Sequence, residues 1–153
     1  LEDDPMLRGN VAKGAIAGFI AGLVPLVINF SARRMGWATL VWADFAAALS
    51  LGRRAASTIE HAYTIGVVFW WLTLLGAVFA LLLVKLPNEN RLLLGWLYST
   101  SIWFGSYGAG VVFHTSHRGS VGLSTALTHF VAASSWGIAL PLVLNWLEGK
   151  WAT

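Results

Sequence analysis

The 153-residue chain has no cysteine, only four prolines, and Asp, Glu, Lys and Arg together make up just 11% of it. Without cysteine there is no disulfide, no thiolate metal site, no iron–sulfur cluster and no cysteine nucleophile. The shortage of charge is the heavier constraint. Soluble domains carry roughly 25% charged residues to keep their surface wet, and a chain that is 57% hydrophobic with mean hydropathy +0.68 cannot build such a shell. A soluble enzyme, a disordered tail and a nucleic-acid module are excluded, which leaves an integral membrane protein solvated by lipid chains. Ten basic and seven acidic residues give +3, a balance that in so apolar a chain marks interfaces and not a footprint for DNA or RNA. The chain opens on Leu1 and not methionine, so its native start is expected to be missing.

What is present is long apolar runs. A hydrocarbon core of about 30 Å takes roughly 20 helical residues, and four windows qualify: about 11–30, 62–84, 92–113 and 121–147. The last three contain no Asp, Glu, Lys or Arg, and none of the four alternates with period two, so helices are expected and not a barrel. The segment from about 37 to 52 is apolar but short and carries Asp44. It reads as an interfacial helix, with a re-entrant segment as the alternative. Trp37 and Trp42 on one side, with Trp96, Trp146 and Trp151 on the other, are expected to anchor the bundle at the headgroups, where Arg53 and Arg54 would snorkel. The expected architecture is thus one all-α domain, a four-span bundle with an extra short helix between the first two spans.

Four spans put both termini and the turn containing Pro87 and Asn88 on one face, here side A, and the other two connections on side B. Arg8, Lys13, Lys85, Arg91 and Lys150 fall on side A; Arg33, Arg34, Arg53, Arg54 and Arg118 fall on side B. The positive-inside count is therefore tied, and cytoplasmic termini are expected from a short chain that begins with a helix. The tight turn makes the second and third spans antiparallel neighbours. Helices in lipid associate through close packing at small residues, and Gly14, Gly18 and Gly22 form such a stripe on the first span, as do Gly105 with Ala109 and Ala133 with Gly137 on the last two. These stripes serve either packing within the bundle or docking of another chain. Pro25-Leu26-Val27-Ile28-Asn29-Phe30 and Pro141-Leu142-Val143-Leu144-Asn145-Trp146 echo one another, and each proline frees a carbonyl one turn earlier.

Polar groups inside a membrane are costly and therefore informative. All four histidines fall toward side B: His61 begins the second span, His114 and His117 end the third at spacing i, i+3, and His129 lies one to two turns into the fourth, with Asp44, Glu60 and Arg118 placed to join them. Imidazoles ligate haem iron or a divalent metal and relay protons near neutral pH. The competing reading is that these rings sit at the headgroup level. No His-Glu-x-x-His or Glu-x-x-His pattern is present, no serine has a partnered base at recognisable spacing, and no phosphate loop occurs.

Gly95-Trp96-Leu97-Tyr98-Ser99 with Trp103-Phe104, followed by Ser124-Thr125-Ala126-Leu127-Thr128-His129-Phe130 and Gly137, resembles the uncharacterised four-helix YqhR-type membrane proteins of spore-forming bacteria. The glycine-rich first span, long first connection and short second connection agree with that plan. The His-Thr-Ser-His-Arg segment departs from it. The resemblance implies a bacterial plasma-membrane protein without an established activity, so it carries over no catalytic residue.

Three classes of function follow. The first is a structural or accessory subunit of a membrane complex, or a homo-oligomer, without catalysis of its own and with lipids and other membrane subunits as partners. The second is a haem- or metal-binding redox or ion-handling protein that uses His61, His114, His117 and His129. The third, a small-solute transporter or channel, needs a polar path that few mid-depth groups could line.

Overall fold

The computed structural model describes residues 5–86, 90–112 and 121–150. Among these there are six helices and no strand: α1 (Pro5–Ala21), α2 (Leu23–Arg34), α3 (Trp42–Leu51), α4 (Thr58–Lys85), α5 (Arg91–Val112) and α6 (Leu123–Lys150). The expected end of the third span at Phe113, the Pro87–Asn88 turn, His114, His117 and Trp151 lie outside the described residues.

The first expected span is two helices in one column. Pro25 has no N–H to offer the carbonyl of Ala21, and one residue later the amide of Gly22 is shared between Gly18 O and Phe19 O, both at 3.1 Å. Helical bonding resumes with Leu26 N to Gly22 O at 3.3 Å. Pro141 produces no such interruption, and α6 runs through it. The carbonyl this second proline leaves free, that of Gly137, lies where a side chain at Gly95 would have to go.

Three stretches are long and apolar enough to cross a membrane: Gly9–Arg34, Thr58–Lys85 and Leu123–Lys150. The expected fourth, α5, has 22 residues but is less apolar, because Tyr98, Ser99, Thr100, Ser101, Ser106 and Tyr107 dilute its leucines. The short helix also differs from the expected 37–52. Helix begins only at Trp42, and the preceding residues form an irregular connection.

α1 sits between α4 and α6, and its glycines explain why. A β-carbon on Gly14 would lie 2.5 Å from the Ala80 side chain and from Gly76 O. One on Gly18 would strike Leu72 O and lie 2.9 Å from Gly76 Cα, and one on Gly76 would lie 2.6 Å from Gly18 Cα. The two backbones are therefore in direct contact, and no residue larger than glycine fits. On the other flank, buried Trp136 of α6 donates its indole N–H to Gly18 O at 3.2 Å. Ala17, Ala21, Leu72, Phe79, Trp136, Leu140 and Leu144 fill the space between.

α5 packs on α6 by the same device. Gly95 and Gly137 face each other, Ser99 Oγ donates to Ala133 O at 2.6 Å, and Trp96 Nε1 donates to Ser134 Oγ at 3.0 Å. The spans joined by the short turn are thus not the closest pair. α4 lies closest to α1 and α5 to α6. The gap between α4 and α5 is filled by Tyr98, whose hydroxyl donates to Leu75 O at 2.9 Å and whose ring centre lies 5.3 Å from that of Phe79. Turn length fixes which helices follow one another, whereas small residues fix which backbones can touch.

Gly18→Ala or Gly76→Ala is expected to destabilise the protein by about 1–3 kcal/mol through overpacking, outweighing the gain of about 1 kcal/mol that alanine brings to a helix interior. Gly66, with open space around its Cα, is the control: Gly66→Ala should be neutral or stabilising. Unfolding titrations of the three variants in mixed detergent micelles check the difference.

Candidate functional site

Three of the buried polar residues, Asn29, Thr125 and His129, meet where the chain returns from α2 to α3. α2 ends in a left-handed residue, Gly36 (φ +73°), with Gly36 N bonded to Arg33 O at 3.0 Å and Trp37 N to Ala32 O at 2.9 Å. This is a Schellman-type cap, which needs glycine because a Cβ is penalised at positive φ. The turn sends the chain back alongside the helix it has just left. Ala38 and Val41 are buried while Trp37 and Thr39 are exposed, so the irregular backbone lies against the protein interior, and its inward polar groups need partners there.

Neighbouring helices supply them. Thr39 N donates to Thr125 Oγ1 of α6 at 3.0 Å, with the two hydroxyls 3.2 Å apart. Leu40 O is 3.0 Å from His129 Nε2. Val41 N donates to Asp44 Oδ2 at 3.0 Å, and Trp42 N to Asn29 Oδ1 at 3.3 Å. Asn29 is 2% exposed and satisfies its other end with Nδ2 to Pro25 O at 2.9 Å. Asp44 Oδ2 also accepts from Arg33 Nη1 at 2.7 Å, tying the end of α2 to the start of α3.

His129 is completely buried, and its neighbours define its hydrogen-bonding state. A carbonyl can only accept, so Nε2 carries the proton that Leu40 O receives. Nδ1 is left with a lone pair, which takes the hydroxyl of Tyr107 at 2.7 Å. In the neutral ring both nitrogens are thus engaged, Nε2 as donor and Nδ1 as acceptor. Trp42, Phe45 and Tyr107 surround it edge-on at ring separations of 6.5, 5.4 and 6.1 Å, and Trp103 extends this aromatic layer, 5.1 Å from Tyr107 and 5.2 Å from Phe130.

The other candidate ligands are placed differently. His61 is exposed in the first turn of α4, its Nδ1 2.8 Å from Ser57 O. Among the described residues no group of three or more histidines and carboxylates is positioned to hold a metal ion. Glu60 is taken up by Arg53 in a two-pronged pair at 2.9 and 2.6 Å and by Ala56 N at 2.7 Å, which closes the loop between α3 and α4. That carboxylate raises the Arg53 guanidinium above its ordinary value, chiefly through the hydrogen bond. Arg54 is exposed.

The expected anchors divide in the same way. Trp37 is 60% exposed, and Trp146 is exposed with the Lys150 ammonium 4.3 Å from its ring. Trp42 is half-buried beside His129, and the Trp96 indole is turned into the α5–α6 contact. Of the expected packing residues, Gly14, Gly18, Gly22, Ala133 and Gly137 are buried within this chain, whereas Gly105 is exposed with open space around it. Ala109 belongs to α5, and its side chain lies outside the described residues. The two asparagines of the internal echo have different fates: Asn29 is buried, while Asn145 is exposed and accepts from Arg91 at 2.6 Å.

Asn29, Thr39, Tyr107 and Thr125 were not legible as one site. They lie on four separate segments of the chain, and no spacing pattern links them before the turn at Gly36 brings the 37–41 connection beside α6. The available signal was the cost of burying a lone amide such as Asn29 without a partner. Comparison of the chain with protein-family models, with curated proteins and with solved structures returns no match.

Tyr107→Phe leaves Nδ1 of His129 buried and unpaired, and Thr125→Val removes the partner of Thr39 N. Each is expected to destabilise the protein by about 1–3 kcal/mol and to speed amide hydrogen exchange at Thr39 and Trp42. Exchange at Leu75 and Phe79 in α4 should not change.

Proposed function

We propose that this is a four-pass helical membrane protein that works by packing, as a structural or accessory subunit of a bacterial plasma-membrane assembly, with both termini on one side. The observation that carries the reading is how the interior polar groups are used. Asn29, Thr64, Ser99, Thr125, Thr128 and His129 are buried, and each is bonded to this chain's own backbone or side chains. Such an interior is built to hold a shape. Phe19, Val27, Trp70, Leu74, Leu93, Phe104, Val131 and Leu142 face outward, a distribution that suits lipid or apolar partner helices.

Three passes rest on length and hydropathy. The fourth, α5, is supported by its 22 residues, about 33 Å at 1.5 Å per residue, and by the inward use of the Tyr98 and Ser99 hydroxyls, which lets a less apolar helix sit in lipid. The plan resembles that of the YqhR-type proteins. The bond from Trp42 N to Asn29 supports placing the start of α3 five residues, or about 7.5 Å, inside the end of α2. In this reading the 37–41 connection dips below the headgroups and α3 returns to them. A haem or metal reading would require His129 to surrender one of two good hydrogen bonds, and a transport reading would require a polar column, whereas the buried side-chain hydrogen bonds around His129 form a single layer.

The chain has no cysteine, so single introduced cysteines report topology directly. Met35→Cys and Gly122→Cys should react with an impermeant thiol reagent from one side of the membrane, and Leu86→Cys and Gly149→Cys from the other. Leu86 and Gly122 on the same side would remove the fourth pass. A purified sample should be colourless and free of stoichiometric metal; a Soret band, or a metal lost on His129→Gln, would overturn the structural reading in favour of cofactor binding.

A further inference from the structure

A cavity with room for a ligand group lies at the opposite end of the bundle from His129. It is a half-open cleft of about 130 Å³ between the ends of α1, α4, α5 and α6. Its walls form a gradient: Asn10, Arg91 and Glu148 at the polar end, Ala80, Leu83 and Leu144 at the apolar end. A liquid water occupies about 30 Å³, so the volume suits a small polar group several waters in size, and not a whole lipid. Arg91 Nη1 donates to Glu148 Oε2 and to Asn145 Oδ1, both at 2.6 Å. A cation and an anion thus stand side by side at the mouth. Trp146 and Lys150 lie on the same end of α6, the residue types that mark the headgroup level.

We propose that this cavity receives the headgroup of a phosphatidylethanolamine, its phosphate against the Arg91 guanidinium and its ammonium against the Glu148 carboxylate. The inference rests on the membrane reading above. A guanidinium matches phosphate oxygens with directed, charge-assisted bonds, and a primary ammonium supplies N–H donors that a carboxylate can accept. Phosphatidylcholine carries the same charges but its trimethylammonium has no N–H to donate. Phosphatidylglycerol brings the phosphate but no cation for Glu148. The acyl chains would leave the apolar end along Val84, Leu92 and Leu93, which are exposed.

The test is native mass spectrometry of the delipidated full chain in detergent, with phosphatidylethanolamine, phosphatidylcholine and phosphatidylglycerol of matched acyl chains added in turn. The expected result is several-fold greater retention of phosphatidylethanolamine. Glu148→Gln should abolish its advantage over phosphatidylglycerol, and Arg91→Gln should lower retention of all three. Asn10→Leu, which replaces a polar wall of the cavity and leaves the side chains of Arg91 and Glu148 in place, should lower phosphatidylethanolamine retention in a chain that keeps its helical signal. Equal retention of the three lipids, or a preference that survives Asn10→Leu in the folded protein, overturns the proposal. Cysteine labelling at Leu86 and Gly149 reports on the membrane reading independently, so failure of one is distinguishable from failure of the other.

Discussion

The contact between the backbones of α1 and α4 at Gly14, Gly18 and Gly76 is the constraint on which the rest of the arrangement depends. Lipid chains are as apolar as leucine, so burying apolar side chains gives two helices little reason to associate. What remains is dispersion between closely approaching atoms and weak Cα–H···O contacts, both of which fall off steeply with distance. Three glycines bring the helices near enough for these forces to act. They also leave Gly18 O accessible to the Trp136 indole, so the same position that seats α4 receives α6. α5 then joins α6 at Gly95 and Gly137, a second instance of the same physics.

Close packing determines which helices touch, and hydrogen bonding determines where the irregular connection can go. Residues 38–41 run beside buried side chains, where a buried amide without a partner is costly. Thr125, His129 and Asn29 remove that penalty from three directions, and Asp44 completes it from within α3. A buried imidazole is accordingly a clamp on the Leu40 carbonyl. Its two nitrogens do two different jobs: one donates to α3's connection and the other accepts from α5. A single side chain of α6 therefore fixes elements on both of its flanks.

Much of this architecture was readable from the chain, and the parts that were not have physical reasons. Long apolar runs without charge located α4 and α6 to within a few residues, because such runs suit a helix surrounded by lipid or by other apolar helices. Gly14, Gly18 and Gly22 were recognisable as a packing face, but their partner Gly76 was not, since a lone glycine has no spacing pattern. The short turn after Lys85 suggested that α4 and α5 would be antiparallel neighbours, and Tyr98 does link them, but the closest pairs, α1 with α4 and α5 with α6, follow the glycines and not the connectivity. Trp42 and Trp96 looked like headgroup anchors because tryptophan is enriched there; a turn at Gly36 and a serine at position 134 direct them inward. His129 was expected one to two turns into the last apolar run, but its partners Leu40 and Tyr107 are 89 and 22 residues away.

The account stands most directly on whether Gly18 and Gly76 of the same molecule touch. Magnetic-resonance spectra of the isotopically labelled protein in bilayers or micelles can detect contact between their α-protons, and dilution with unlabelled protein separates contacts within a chain from contacts between chains. A Gly18–Gly76 cross-peak whose intensity per labelled molecule is unchanged by dilution is the expected result. An absent cross-peak, or one that fades as unlabelled protein is added, would contradict the account, the second outcome by assigning the glycine stripe to an interface between copies.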